Sequence, residues 1–471
     1  MQLTPMKRGR LVATLGLATA QLFAVTGADA APGPDSQAQS GTNGTAVASV
    51  ADDTQSNLGT TRFDSAVLFY QEQGGRVQAI EPSMSLDITN DWGDVFSFKA
   101  TVDSLTGATP NGAAPWNQPQ TFTTPAHAPS TTATTTSASG NSVLVTVPGT
   151  GLLARQYTTP ANTLPVDQGF KDHRYAFSGG YTYAYDPQTR FTMGGAVSLE
   201  RDYTSISANG AIARDLNNKN TTLSLAGNIE YDRSRPFFGT PTPFAVMDAT
   251  QKGPNATKMV YSIVAGVTQV MNRHWLLQLN YSAGLSRGYQ NDPYRILSLV
   301  DATTGAPNSY LYEGRPHSRF RQSVYLGNKI ALGPTVTDLS ARYYHDDWGI
   351  NAITAEIGER IAITKGLYVE PLARYYHQSA ANFFDYYLVA GATLPNYASS
   401  DSRLSRFSAT TFGAKIGVKV MHDGEFYVDG ERYKQTGTTT LANAPGALAS
   451  QNLFGGVTAT SVIAGFRFTF R

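Results

Sequence analysis

Val336 to Ile363 reads VTDLSARYYHDDWGINAITAEIGERIAI, two alternating runs joined at an Asp-Asp-Trp-Gly corner. In the first run Thr337, Leu339, Ala341 and Tyr343 fall on one side, and Asp338, Ser340, Arg342 and Tyr344 on the other. In the second, Ile353, Ala355, Ile357, Ile361 and Ile363 share a face with the off-phase Glu359. Thr354, Glu356, Gly358 and Arg360 lie opposite them. Period two is the strand signal, because successive side chains leave a strand on opposite sides. A soluble sandwich turns its apolar face inward. Here both runs are long and the polar face carries large charged groups. That pattern fits a barrel that is apolar outside and wet inside.

Working outward from this hairpin, the same alternation recurs along the chain. It places strands at 62–71, 76–89, 94–105, 170–186, 189–203, 205–216, 221–234 and 258–271. It continues at 274–288, 319–332, 335–346, 350–364, 367–381, 404–421, 424–436 and 456–470. Every second connection is a tight turn rich in Asn, Asp, Gly or Pro, the residues that tight turns demand. All the long connections fall in the other set. The sequence therefore predicts an all-β, transmembrane, antiparallel up-and-down barrel of about sixteen strands, with long extracellular loops and short periplasmic turns. The barrel spans 61–471. Residues 106–168 form a Pro/Thr/Ala/Ser insertion whose low complexity argues against a packed domain. An unstructured insertion of this length is at home on the outer face of such a barrel. The last strand ends in an apolar face, Val462, Ala464, Phe466, Phe468 and Phe470. It resembles the signal read by the barrel-assembly machinery, displaced by one residue because Arg471 follows.

The N-terminus reads as an export signal over residues 1–30. Lys7, Arg8 and Arg10 precede a short apolar stretch from Leu11 to Val25, and Ala28-Asp29-Ala30 is a cleavage site. Residues 31–60 are small and polar, a disordered lead-in. The expected location is the outer membrane, with outer-membrane lipid as a partner. In 471 residues, 36 basic side chains oppose 35 acidic ones, so global charge gives no support for binding nucleic acid. The absence of cysteine removes thiol catalysis, disulfides and thiolate metal sites. It also suits passage through an oxidising compartment. No nucleophile elbow, phosphate loop, zinc helix or dinucleotide fingerprint stands in a convincing context. The chain is expected to be no enzyme and to hold no cofactor.

If the apolar faces meet lipid, the lumen receives Asp338, Arg342, Glu356, Arg360, Glu370, Arg374, Lys415, Lys419, Asp429, Glu431 and Arg467, joined by Arg319, Arg321 and Lys329. The signs are interspersed, which fits either a salt-bridged wall or a lining that selects a polar solute. Tyr343, Tyr344, Tyr375, Tyr376, Tyr386, Tyr387 and Trp348 gather at the loop ends, and Trp92 and Trp275 at the turn ends. They read as two aromatic belts at the membrane interfaces. At the outer mouth, His345, Asp346, Asp347 and Asp292 are the candidates for specific chemistry. Asp346, Asp347, Asp292 and Asp301 are hard oxygen donors of the kind calcium takes, and His317, His345 and His377 would suit a transition metal if they converged. Neither set has a metal motif's spacing, so the metal is left open.

Several stretches resemble one bacterial family. They are VDSLTGATPNGA from Val102 to Ala113, GYQNDPYRILSLVD from Gly288 to Asp301, YEGRPHSRFRQ from Tyr312 to Gln322, RYYHDDWGINAITAEI from Arg342 to Ile357 and PLARYYHQSAANFF from Pro371 to Phe384. The family is the one called domain of unknown function 3570. The resemblance implies an exported outer-membrane barrel of Gram-negative bacteria with no settled activity. It also implies a genetic neighbourhood of a flavin-transferring periplasmic enzyme and a thioredoxin-like protein, hence a tie to an envelope redox or electron-transfer module. Three readings stay open: a porin-like channel for a small polar or charged solute, a structural or partner-binding barrel serving a periplasmic redox protein, and a rim-site enzyme built from Asp346, His345 and His377.

Overall fold

A computed structural model describes residues 59–124, 142–146, 153–236, 239–247, 253–421 and 423–470. The expected export signal, the lead-in up to residue 58 and the low-complexity centre of the 106–168 insertion lie outside the described residues. The strands of the first half are β1 (Thr60–Glu72), β2 (Gln78–Thr89), β3 (Val95–Pro110), β4 (Gln120–Thr123), β5 (Ser142–Thr146), β6 (Leu153–Thr159), β7 (Val166–Ala184), β8 (Thr189–Leu199), β9 (Tyr203–Leu216), β10 (Thr221–Ser234) and β11 (Ala256–Asn272). They continue as β12 (Trp275–Gly288), β13 (Ile296–Val300), β14 (Pro307–Tyr312), β15 (Ser318–Leu332), β16 (Thr335–Asp346), β17 (Asn351–Ala362), β18 (Leu367–Gln378), β19 (Leu388–Val389), β20 (Phe407–Val420), β21 (Gly424–Gly437) and β22 (Thr458–Phe470).

Sixteen of these close a barrel in the order β1-β2-β3-β7-β8-β9-β10-β11-β12-β15-β16-β17-β18-β20-β21-β22. Every pair in the ring is antiparallel, and β1 meets β22 with Phe63 opposite Phe468. Closure leaves no strand edge unpaired, the condition for spanning hydrocarbon with strands. These are the sixteen strands that the alternation placed. The outer surface is apolar: Phe98, Ile353 and Phe412 are 54%, 54% and 64% exposed. On the same strands the inward positions are polar, with Asp103, Thr411 and Lys415 buried. This inversion of the soluble pattern is what a lipid-facing barrel requires.

The second layer is a cap. Five long connections leave the loop end of the barrel, and they pack on one another. Within the 106–168 insertion, β4, β6 and β5 form a three-stranded sheet. Phe122 of that sheet is fully buried, against Tyr157 of the same sheet and Met247, Ile296 and Tyr312 from other loops. A second small sheet joins β14, β13 and β19. Ala114, Val300, Leu448 and Leu453 share another core with Tyr386 and Tyr387. The expectation of an unpacked insertion therefore needs correction. Its Thr- and Ala-rich composition hid a few large side chains, Phe122 and Tyr157, that supply a core in company with other loops.

The aromatic belts also divide differently. Tyr343 and Tyr375 do project outward, 50% and 48% exposed. Tyr344 and Tyr376 alternate inward. Trp348 is only 3% exposed and packs with Ile350, Ala381, Phe383 and Leu404 beneath the cap. It sits at a corner, where strand periodicity no longer says which way a side chain points.

Candidate functional site

The more highly charged part of the lumen wall is built by the inward positions of the barrel strands β15, β16, β17, β18, β20, β21, β22, β1, β2, β3 and β7. Asp338 pairs with Lys329 at 3.2 Å. Glu356 pairs with Arg374 at 2.5 Å, the two residues being direct cross-strand partners. Arg467 reaches Asp64 at 2.8 Å and Glu425 at 3.8 Å. Glu370, Lys415 and Asp429 stand side by side in one row across β18, β20 and β21. Glu431 lies opposite Gly413, and Lys419 is exposed at the turn end opposite Glu425.

Arg342, Arg360 and Lys415 have no ion pair within 4 Å among the described residues; each lies against a tyrosine ring. Arg360 stacks 3.6 Å from the Tyr368 centroid, Lys415 lies 4.3 Å from that of Tyr427, and Arg342 lies 5.7 Å from that of Tyr325. A cation over a ring face is attracted by the ring quadrupole. The Tyr368 and Tyr427 rings in turn lie against glycines on the neighbouring strands. A Cβ on Gly417 would sit 2.2 Å from Tyr368 Cε1, and one on Gly465 would sit 2.3 Å from Tyr427 Cζ. Glycine thus gives the ring its seat, and the ring holds the cation against the wall. We expect Gly417→Val to displace Tyr368 and to cost about 1–3 kcal/mol as an overpacking change. The check is the urea midpoint of the refolded barrel, which Gly430→Ala should leave in place, because a Cβ at Gly430 meets nothing within 4 Å.

The charges are not evenly spread. The inner face of β9 to β12 is lined midway by Ser224, Ala226, Asn228, Val264, Asn280 and Ser282, and carries charge toward its two ends: Glu230, Asp232 and Lys258 on the loop side, and Asp215, paired with Arg190, on the turn side. The sequence reading concentrated on the charged arc of the C-terminal half. It did not include Asp64, Glu81, Asp103 and Arg174, which extend that arc through β1, β2, β3 and β7; Arg174 pairs with Asp103 and, at 3.7 Å, with Glu81. The alternation in 62–105 and 170–186 carried that signal. Arg319, expected in the lumen, holds Asp346 at 2.6 Å at the loop end.

Above the lumen the cap is locked by three carboxylates and three guanidiniums. Glu313 is 2% exposed. It accepts from Arg315 Nη2 at 2.9 Å, from Ser399 Oγ at 2.5 Å and from the Asp292 backbone N–H at 2.5 Å. Arg315 also donates to Asp401 at 2.9 Å. Arg403 pairs with Asp401 and reaches Asp292, which also faces Arg295 at 3.5 Å. Arg295 donates to the Pro110 carbonyl at 2.5 Å, fastening the 106–168 insertion to the same knot. Burial pushes Glu313 upward from the usual carboxylate range, with Arg315 opposing and Asp292 and Asp401 reinforcing. Burial alone would raise Asp401 too, but Arg403, Arg295 and Arg315 outweigh it and hold Asp401 well below that range. The sequence reading named Asp292 alone of these six. The others lie in loops, where no periodicity marks what is buried.

The remaining outer-mouth candidates are dispersed. Asp346 is buried and accepts from Arg319, from Tyr344 Oη at 2.8 Å and from the backbone N–H groups of Trp348 and Ile350. Asp347 is exposed beside it. Asp301 caps its own turn by accepting from Thr303 and Thr304. His345 and His377 face outward, bonded to Asn351 and Ser408 at 2.9 Å each, and His317 is exposed in a loop. Among the described residues no three His, Asp or Glu side chains gather as a metal-holding group. A rim site made of Asp346, His345 and His377 is not assembled: Asp346 turns inward and the two histidines outward.

No curated protein matches the sequence. Among solved structures, CdiB from Acinetobacter baumannii is similar with 8% identity and a TM-score of 0.42, over 87% of this chain and 60% of that one. A mutant of the ferric enterobactin receptor from Pseudomonas aeruginosa, in complex with enterobactin, aligns with 9% identity and a TM-score of 0.39, over 86% and 60%. The outer membrane protein opdK from Pseudomonas aeruginosa aligns with 7% identity and a TM-score of 0.36, over 87% and 99%. The chain thus spans about 60% of the length of the first two. The family model described as protein of unknown function DUF3570 matches residues 13–470, nearly the whole chain, and the chain belongs to that family.

Proposed function

We propose that this protein is a porin-like channel of the outer membrane, exported by its N-terminal signal, that passes small polar or charged solutes without catalysis. The observation that supports this is the lumen wall. Charged side chains of both signs face inward along one arc, where a purely structural barrel gains little from them. The Arg342, Arg360 and Lys415 cations are held against rings instead of being spent in ion pairs, so they can meet a passing anion. The long loop-end connections are knitted into a cored cap, which would narrow the path of a solute. The test is planar-bilayer conductance of the refolded barrel, with and without the loop segment 379–406. Small discrete steps are expected from the intact chain and larger ones from the shortened chain. Silence from both would overturn the channel.

A second reading has its own support in the cap, since a mouth covered by a cored, ion-paired layer also suits a barrel closed to the outside that receives a periplasmic partner, such as a redox protein. Silence from the intact chain together with steps from the shortened one would favour it.

A further inference from the structure

The outward face of the barrel carries a second pattern, distinct from the lumen. Tyr175, Tyr231, Tyr343 and Tyr375 all project outward near the loop end, between 43% and 50% exposed. On each of these four strands the next outward position toward the loops is basic: His173, Arg233, His345 and His377. Lys171, Arg287, Arg432 and Lys434 extend the set, all exposed and all outward by alternation. At the loop-end outward positions of the described barrel strands there is no Asp or Glu.

The contrast with the interior is one of pairing. Inside, carboxylates accompany Arg174, Lys329, Arg374 and Arg467. Outside, Lys171, Arg233, Arg287, Arg432 and Lys434 have no ion pair within 4 Å among the described residues. Arg432 donates only to neutral partners, Thr460 at 2.6 Å and Gln73 at 3.4 Å. Outward tyrosines mark the boundary between hydrocarbon and headgroups. One outward step is two residues, which on a tilted strand raises a side chain by about 5 Å. The cations therefore stand at the level where a lipid carries its phosphates.

We propose that this collar binds the phosphate groups of a phosphorylated glycolipid of the outer leaflet. The complementarity is of charge and of height: apolar residues below for acyl chains, rings at the boundary, unpaired cations at the phosphate layer. Arg432 and Lys434, two residues apart on β21, form its densest point. The inference rests on outer-membrane placement of the barrel and is independent of whether the lumen conducts.

The test is lipid retention by the refolded full chain, read by native mass spectrometry after detergent exchange. The probes are a bisphosphorylated lipopolysaccharide anchor, the same lipid dephosphorylated, and inorganic phosphate. The wild type should retain the bisphosphorylated lipid, less so as salt rises. The quadruple variant Arg233→Gln, Arg287→Gln, Arg432→Gln and Lys434→Gln should lose about tenfold or more of that occupancy. Heat-modifiable gel mobility confirms that it folds, and the double variant Arg432→Gln with Lys434→Gln should show an intermediate loss if the quadruple one does not fold. Equal retention of the dephosphorylated lipid, or unchanged retention by a folded variant, would overturn the proposal. Complete displacement of the lipid by millimolar inorganic phosphate would assign the collar to free phosphate instead. An unchanged bilayer conductance in the same variant separates this result from any failure of the channel.

Discussion

Arg315→Leu is expected to open the cap while leaving the barrel closed. Arg315 is 8% exposed and contacts two buried carboxylates, Glu313 and Asp401. Removing it leaves Glu313 facing Asp292 and Asp401 with no cation in contact. Breaking a buried pair by deleting one partner typically costs about 3–5 kcal/mol, because a charge is left uncompensated in a site that water cannot reach. Asp401 keeps Arg403, so the loss should concentrate on Glu313 and on the segments it joins. Those segments are the ends of the 289–317 and 379–406 loops, tied by the reciprocal bonds between Gly314 and Ala398 at 2.9 Å. Limited proteolysis of the refolded barrel should cut both loops in the variant and neither in the wild type, with heat-modifiable mobility retained. Adding Glu313→Gln should restore part of the resistance, since it removes the stranded charge. Arg315→Lys should fall between, keeping the charge and losing the planar fork. A protease map identical to the wild type would show that the knot does not hold the cap.

The barrel was legible because its rule is local. A strand shows its two faces every second residue, and a lipid-facing face cannot tolerate the charges that Asp338, Arg342, Glu356 and Arg360 put on the other side. Turn chemistry then fixed which connections were short. The cap was not legible, for the opposite reason. Glu313, Arg315, Asp401 and Arg403 come from two loops with no shared period. Phe122 and Tyr157 are isolated in small polar sequence, and they form a core only with residues far away in the chain. The arc of lumen charges was half read. The alternation that exposed it at 336–363 also runs through 62–105, where Asp64, Glu81 and Asp103 occupy inward positions. The seats of Tyr368 and Tyr427 were invisible without the fold, since each ring meets its glycine only across a strand pair, Gly417 lying 49 residues from Tyr368.

These two layers divide the work. On the proposed channel reading, the lumen arc offers charge to a solute, whereas the cap decides whether the solute reaches it. A substitution in either layer can alter flux, so flux alone does not say which layer failed. Protease resistance of the loops reports on the cap, and the urea midpoint reports on the wall. Measuring both alongside conductance assigns a loss of flux to its layer.

The corner of the 336–363 hairpin supplies the sharpest case. Asp346, the first Asp of that corner, looks like a functional acid at the outer mouth, yet its contacts are those of a brace. It is 1% exposed and takes two bonds from Arg319, at 2.9 and 2.6 Å. It also takes the backbone N–H groups of Trp348 at 3.1 Å and Ile350 at 2.9 Å, and the Tyr344 hydroxyl. Arg319 meanwhile lies 4.4 Å over the Trp348 ring, so carboxylate, guanidinium and indole form one stack. Gly349 completes the corner at φ +92, with Asn382 occupying the space that a Cβ would need. Asp346→Ala removes the acceptor from all these donors at once and breaks the Arg319–Asp346 pair. The expected cost is about 3–5 kcal/mol, the range for breaking a buried charge pair. Asp346→Asn keeps a carbonyl for the two backbone donors and loses the charge, so about 1–3 kcal/mol is expected. Asp347→Ala, one residue on and exposed, should stay within about 0.5 kcal/mol of the wild type. Urea unfolding of the refolded barrel, followed by indole fluorescence, orders the three. If Asp346→Ala unfolds at the same urea concentration as Asp347→Ala, the brace is wrong and Asp346 returns as a candidate for chemistry at the mouth.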